Sequence, residues 1–356
     1  MMNSKDESIK YVQSEKIEDF GKAILVAAGM TQGDASITAR HLKMATLRGV
    51  ESHGFGRFLM YSKRVADGGM ISPTSVTVVH DGGSVLSLDG HNGVGQVVAE
   101  NSMKIAIERA KETGICFTTV KNSNHMGALS PYVLLAADSD CIGIAFTNAS
   151  PRIAPVGGAQ AMLGNNPWSI AVPTSTNPVV MDMANSVAAL GKVRILQARG
   201  ELLPEGWARD SEGMPTRDPL AAITGLLEPI AGYKGYVIAL MLELLTGAAS
   251  GGGGSYTVSA VTKSEIPGNV SHSFIAISLD KLGSKKDFLQ NVDKLTSDVR
   301  NSKLARDSKE ILMPGDIEFR NQETRLKEGV PLKPELVKNL VEAAELFSVP
   351  IPQWLR

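Results

Sequence analysis

The chain has 356 residues, 43% hydrophobic and 21% charged, enough for a sizeable core and, at about 100–200 residues per domain, for two or three structural units. Its 36 basic and 37 acidic side chains nearly cancel, which removes any general attraction to nucleic acid or anionic membrane. No apolar run reaches the roughly 18 residues of a membrane span, the polar stretch 1–16 holds no signal-peptide core, and Cys116 and Cys141 sit in apolar runs as buried thiols, so a cytoplasmic protein is expected.

In chain order, Ile17, Phe20, Ile24 and Ala27 recur at helical spacing and stop at Gly29. A second helix begins near Asp34, with Ile37, Leu42 and Ala45 inward. A third runs over 57–66 and ends at Gly68-Gly69. After Pro73 the period changes to two, and 76–78 and 85–88 alternate as strands about the turn Asp81-Gly82-Gly83. A long helix over 97–111 stops at Gly114. Runs 115–120 and 142–147 read as buried strands around a polar loop and a helix over 129–137. Strands at 170–172 and 179–181 precede a stretch of turns and short elements over 185–232. An apolar helix over 236–246 carries Glu243 and runs into the glycines 251–254. A strand over 274–279, a polar-faced helix over 285–303, a turn at Pro314-Gly315-Asp316 and a helix over 335–347 complete the chain. The alternation predicts an α/β protein. It divides into a helical unit at 1–75, an α/β core at 76–310, and a C-terminal turn and helix at 311–356 that pack back on the first unit.

Two polar loops carry the chemistry. Lys121-Asn122-Ser123-Asn124-His125-Met126-Gly127 leaves the strand 115–120, and Arg48-Gly49-Val50-Glu51-Ser52-His53-Gly54-Phe55-Gly56-Arg57 lies upstream. Histidines in glycine-flanked loops, one with an arginine four residues on, point to acid/base work on an anionic substrate. Taken singly, each feature has a plainer reading. His53 can cap a helix beside a solvated Arg57, His125 can bond neighbouring backbone, Asp182 can cap the element after its strand, and Lys234-Gly235 can be an exposed turn.

Other motifs carry less. Gly93-x-Gly95-x-x-Val98 lacks the third glycine of a dinucleotide fingerprint, and no ribose-binding carboxylate follows at the right place, so it reads as a tight turn and helix start. The six histidines form no HxxxH or HExxH pattern and no CxxC exists, so no metal is expected. A serine hydrolase has no GxSxG to rest on, and Ser52 and His53, being adjacent, are expected to point apart.

Together the stretches 48–54, Asn92-Gly93-Val94-Gly95-Gln96, 122–127, Gly164-Asn165-Asn166-Pro167, Asp182-Met183-Ala184, Gly191-Lys192-Val193, 203–207 and Tyr233-Lys234-Gly235-Tyr236 resemble the type-2 malate/L-lactate dehydrogenases, in order, over residues 21 to about 346. The resemblance implies a non-Rossmann nicotinamide-binding fold: a helical N-terminal part and a central mixed, largely antiparallel sheet with flanking helices. It implies a homodimer and a small (S)-2-hydroxy or 2-oxo acid substrate, malate or lactate first. Ureidoglycolate, sulfolactate, a diketo sugar acid or a cyclic imine carboxylate are the alternatives, and a non-catalytic binding protein is the competing class.

The resemblance also carries residues across. His125 is implied as the proton donor and acceptor, with His53 second, and Ser52, Arg57 and Tyr61 as substrate contacts. Asn148, Asn166, Pro167, Asp182, Met183, Ala184, Lys234, Gly235 and Gly315 fall at cofactor-contacting positions. NAD is implied, with NADP as the alternative. An arginine at the adenosine 2′ position would favour NADP, and Arg152, just beyond the strand 142–147, is the one to follow.

Overall fold

The period-two runs of the sequence form one seven-stranded sheet in a computed structural model that describes residues 9–356. The strands are Thr77–Asp81 (β1), Val85–Asp89 (β2), Ile115–Ser123 (β3), Cys141–Thr147 (β4), Trp168–Val172 (β5), Val179–Met183 (β6) and Val270–Ser278 (β7). Their order is β1-β2-β3-β7-β4-β5-β6. Only β2 and β3 run parallel, and every other neighbouring pair is antiparallel. The parallel pair needs a crossover, and Gly95–Thr113 (α4) supplies it. A mixed, mostly antiparallel sheet is therefore the frame.

The helices are Ser14–Ala27 (α1), Gln32–Leu47 (α2), Phe58–Ala66 (α3), α4, Ser130–Ala137 (α5), Leu190–Arg199 (α6), Tyr233–Glu243 (α7), Lys285–Arg300 (α8), Asp316–Glu328 (α9) and Pro334–Leu346 (α10), besides shorter turns. Two large clusters of buried side chains result. One joins α4 and α5 to the sheet through Met103, Ile107, Val120, Tyr132 and Phe274. The other joins α1 to α3 with α10, through Ile17, Ile24, Phe58, Tyr61 and Leu340. None of the helices is long and apolar enough to cross a membrane among the described residues. Cys116 and Cys141 are free and buried.

Three elements depart from the sequence pattern, each for a physical reason. β7 starts at Val270, ahead of its apolar run, because Ser271, His272 and Ser273 are buried yet bonded. The two nitrogens of His272 lie 2.8 Å from Thr147 Oγ1 and from Ser123 Oγ, on the strands either side. α6, a ten-residue helix, forms within the stretch read as turns and short elements, with Val193 its one buried residue. α9 buries no residue completely and so shows no apolar period. It is held to the end of α2 instead: Arg48 lies 4.5 Å above the Phe319 ring, and Arg325 donates to Thr46 O at 2.5 Å.

Phe274 sits at 0% exposure in the central strand, between α4 and α5. Phe274→Ala should destabilise the fold by about 3–5 kcal/mol, read as a lower denaturant midpoint at unchanged slope.

Candidate active site

β3 ends at Ser123, and the loop that follows is shaped by side chains that neither solvent nor ligand needs to hold. Asn124 is fully buried. Its amide nitrogen donates to Asn92 O, Asn92 Oδ1 and Gly93 O at 3.1, 3.0 and 2.9 Å. Its oxygen accepts from Gly268 N at 3.1 Å and from Arg64 Nη2 at 2.9 Å. Tyr132, on α5, donates to Met126 O at 2.5 Å. A Cβ at Gly95 would collide with the Asn124 and His125 carbonyls, so the glycine lets the start of α4 press against the loop. That is the tight turn and helix start expected of Gly93 and Gly95.

His125 therefore has a fixed orientation. Its Nδ1 lies 2.7 Å from the Tyr61 hydroxyl and accepts from Gly127 N at 3.3 Å. A backbone N–H can only donate, so Nδ1 is an acceptor and the neutral ring carries its proton on Nε2. The His53 ring stacks on it, centroids 5.5 Å apart and 10° from parallel.

Ser52 and His53 were expected to point apart, but Ser52 Oγ lies 2.9 Å from His53 Nδ1. The 3₁₀ turn Glu51–His53 brings the neighbours together. A second such turn, Phe55–Arg57, precedes α3, which starts one residue past Arg57. Arg57 is thus not aligned with His53 on a helix; its Nε donates to Ser52 O at 2.5 Å.

Burial and like charge keep both rings neutral. His53 is pushed down to about 4, by desolvation first and by Arg57 second. His125 is held well below the ordinary histidine value by desolvation, then by His53, Arg57 and Arg64. Burial raises the Tyr61 hydroxyl, against the pull of Arg57 and Arg64.

Ser52, His53, His125, Asn148, Pro167, Asp182, Met183, Ala184 and Gly315 line one cavity of about 620 Å³. Tyr61 and Arg57 are not on its wall: Tyr61 bonds His125, and Arg57 bonds the Ser52 carbonyl. Asn166 is buried beside it, donating to Ala239 O at 2.9 Å and Glu243 Oε2 at 2.8 Å. Asp182 opens onto the cavity but is walled in by protein. Its Oδ2 accepts from Leu129 N at 3.0 Å and Ser130 N at 2.6 Å, at the start of α5, while burial raises its carboxyl. Lys234 and Gly235, at the start of α7, are not brought to the cavity; Lys234 is exposed, and Gly235 N donates to Ile230 O at 2.9 Å.

The cavity wall also holds Arg48, Arg64, Arg152 and Arg194, none of them among the expected site residues; only Arg152 is a residue that the sequence marks to follow. Arg64 carried a legible signal, since it lies three residues from Tyr61 on the inward face of α3. No group of three or more histidine, cysteine, aspartate or glutamate side chains that could hold a metal occurs among the described residues.

His53, His125 and His272, the last pushed down to about 3 by burial, stay neutral in the fold where the unfolded chain protonates near pH 6.5. The unfolded state therefore binds more protons in acid, so their contribution is present above pH 6.5 and lost as pH falls through the folded values. Thermal melts of the ligand-free protein should drop steadily between about pH 6.5 and pH 4.

Residues 12–341 match the sequence family described as malate/L-lactate dehydrogenase. The malate dehydrogenase of Pyrococcus abyssi is 37% identical over 352 residues, 97% of each chain. The malate/(S)-sulfolactate dehydrogenase of Methanothermus fervidus is 35% identical over 334 residues, 92% of this chain and 95% of the other. The structure of malate dehydrogenase from Pyrococcus horikoshii superposes with a TM-score of 0.88 at 34% identity, covering 97% of each chain. With one fold and one family pattern running almost end to end, the chain belongs to the malate/L-lactate dehydrogenases, oxidoreductases of 2-hydroxy acids.

Proposed function

We propose that the cavity binds a nicotinamide dinucleotide together with a small (S)-2-hydroxy or 2-oxo acid, malate or lactate first, with His125 exchanging the proton. The observation that carries this reading is the stacked His53–His125 pair, backed by Tyr61, on the wall of a cavity of about 620 Å³ that holds four arginines. That size and lining suit an anionic dinucleotide beside a small acid. When bound, the nicotinamide supplies the hydride acceptor or donor.

The chain's own residues supply the rest. In the oxidising direction the substrate hydroxyl must lose a proton, and a neutral His125 can take it. Tyr61, on the Nδ1 side that Gly127 N makes an acceptor, holds the ring's plane, so we assign it positioning and not substrate contact. Ser52 is assigned the substrate carboxylate, and Arg57, off the cavity wall, is assigned to hold Ser52 through its carbonyl and to add positive charge beside it. In the reducing direction His125 must first be charged. Arg57, Arg64 and the neighbouring histidines oppose that in the ligand-free cavity. A substrate carboxylate entering beside them offsets their field, so substrate binding and protonation of His125 support one another. Asn148, Pro167, Asp182, Met183, Ala184 and Gly315 are assigned to the cofactor because they share this cavity. Asn166 is assigned to the support of Asn148, through their common partner Glu243.

A homodimer is our reading of α7. Tyr233, Val237, Met241, Leu244 and Leu245 leave an apolar stripe exposed along it and its continuation. Such a helix needs cover. Lys234 and Gly235 begin this helix, so we place them at the subunit contact. Met241→Glu should shift the particle to half its mass in light scattering; an unchanged mass would remove this face as the interface.

The reaction is tested by nicotinamide absorbance, with NADH and NADPH against oxaloacetate, pyruvate, 2-oxoglutarate, sulfopyruvate and a cyclic imine acid. Turnover should fall by about 10²–10⁴-fold in His125→Ala. In Tyr61→Phe kcat should fall more than KM rises, and the acid limb of hydroxy-acid oxidation, which lies below pH 6.5 in the wild type, should move. Silence with every pair, and no dinucleotide binding, would favour the non-catalytic reading.

A further inference from the structure

The charges on the cavity wall do not balance, and the surplus has a place. Of the charged side chains lining it, Arg48, Arg64, Arg152 and Arg194 are basic, and Asp182 and Glu318 are acidic. Both carboxylates act on Arg48. Arg64 is occupied by four backbone carbonyls and by Asn124 Oδ1. That leaves Arg152 and Arg194. Neither forms an ion pair with a carboxylate among the described residues, and the charge of one opposes that of the other.

Arg152 is the fixed member of the two. Its backbone N–H donates to Leu163 O at 2.7 Å, its carbonyl accepts from Leu227 N at 2.8 Å, and its Nη1 donates to Ile223 O at 3.1 Å. Its remaining side-chain nitrogens have no protein acceptor among the described residues. Arg194 is exposed on α6 and makes no side-chain bond among the described residues.

Topology sets the pair apart from the histidines. His125 follows β3 and Arg152 follows β4, two strands over across β7, a sideways step of about 10 Å to which the residues beyond Thr147 add. A phosphate held there belongs to a part of the ligand at least that far from the group that meets His125. Two guanidiniums without a counter-ion suit a phosphate, whose oxygens match the planar fork and whose charge removes their repulsion.

We propose that Arg152 and Arg194 form a phosphate-binding subsite at the end of the cavity remote from His125. The proposal rests on the dinucleotide reading above for its ligand. Two phosphates of such a ligand share this chemistry: the 2′-phosphate, which only NADP carries, and the diphosphate common to NAD and NADP.

The test is binding, not turnover. NADPH and NADH are titrated by nicotinamide fluorescence, and 2′,5′-ADP and inorganic pyrophosphate by calorimetry, on the wild type, Arg194→Ala and Arg194→Lys. Arg194 is exposed and bonded to nothing, so the variants should melt with the wild type. A loss of about tenfold or more for NADPH and 2′,5′-ADP with NADH unchanged assigns the 2′-phosphate, and Arg194→Lys should retain part of the affinity. An equal loss for both dinucleotides and pyrophosphate assigns the diphosphate. Unchanged affinity for every probe that the wild type binds, or no binding of any probe by the wild type, overturns the subsite. Phosphate probes that bind and weaken in Arg194→Ala, while neither NADH nor NADPH binds, would uphold the subsite and end the nicotinamide reading.

Discussion

The site depends on one buried cation, the guanidinium of Arg64. Only 1% exposed, it donates to Val261 O, Lys263 O, Ile266 O and Gly69 O, and to Asn124 Oδ1. The helix that ends at the Gly68-Gly69 turn, the 258–268 wall of the cavity and the loop bearing His125 are thereby fastened at one point. No carboxylate forms an ion pair with it among the described residues; carbonyl dipoles stabilise it, and Glu265 acts on it only from further off. Removing it would leave several carbonyls short of a donor in a buried place and the Asn124 amide oxygen with Gly268 N alone, a far larger loss than that of one surface bond.

After burial, His53 and Arg57, the same charge helps to hold His125 unprotonated. Histidines 53 and 125 are neutral because they are buried and because cations surround them, so the negative charge that would let His125 hold a proton has to come from outside. On the proposed reading, binding and proton chemistry are coupled through the field of a few arginines, with no moving part required. His272 differs in kind. It is capped on both nitrogens by hydroxyls and serves the sheet, joining β7 to β3 and β4.

Buried polar side chains also set the loop after β4. Glu243 Oε1 accepts from Asn148 and its Oε2 from Asn166 and Ser255, so a carboxylate inside an apolar helix ties α7 to the cavity wall and to the glycine-rich turn. Such networks favour one arrangement of the loops because each displaced member would leave a buried group unpaired.

Much of this was legible in the residues. Alternation and turn residues marked the strands, glycine stops marked the helices, and glycine-flanked histidines marked the loops, because these depend on contacts a few residues apart. His53 and His125 by their loops, and Asn148, Pro167, Asp182 to Ala184 and Gly315 by family pattern, were named in the sequence, and the structure brings them to one cavity. What the sequence could not express depends on distant neighbours. α9 has no apolar stripe because its partners are the backbone and arginine at the end of α2. β7 has a polar beginning because strands on both sides offer hydroxyls. The plane of His125 comes from Tyr61 on another element, and the four arginines that line one cavity come from four separate segments. Residue types and short spacings settled which groups the protein has and which elements carry them. Only the tertiary structure settled which of them meet, because burial, field and hydrogen-bond satisfaction are properties of the assembled neighbourhood and not of the chain.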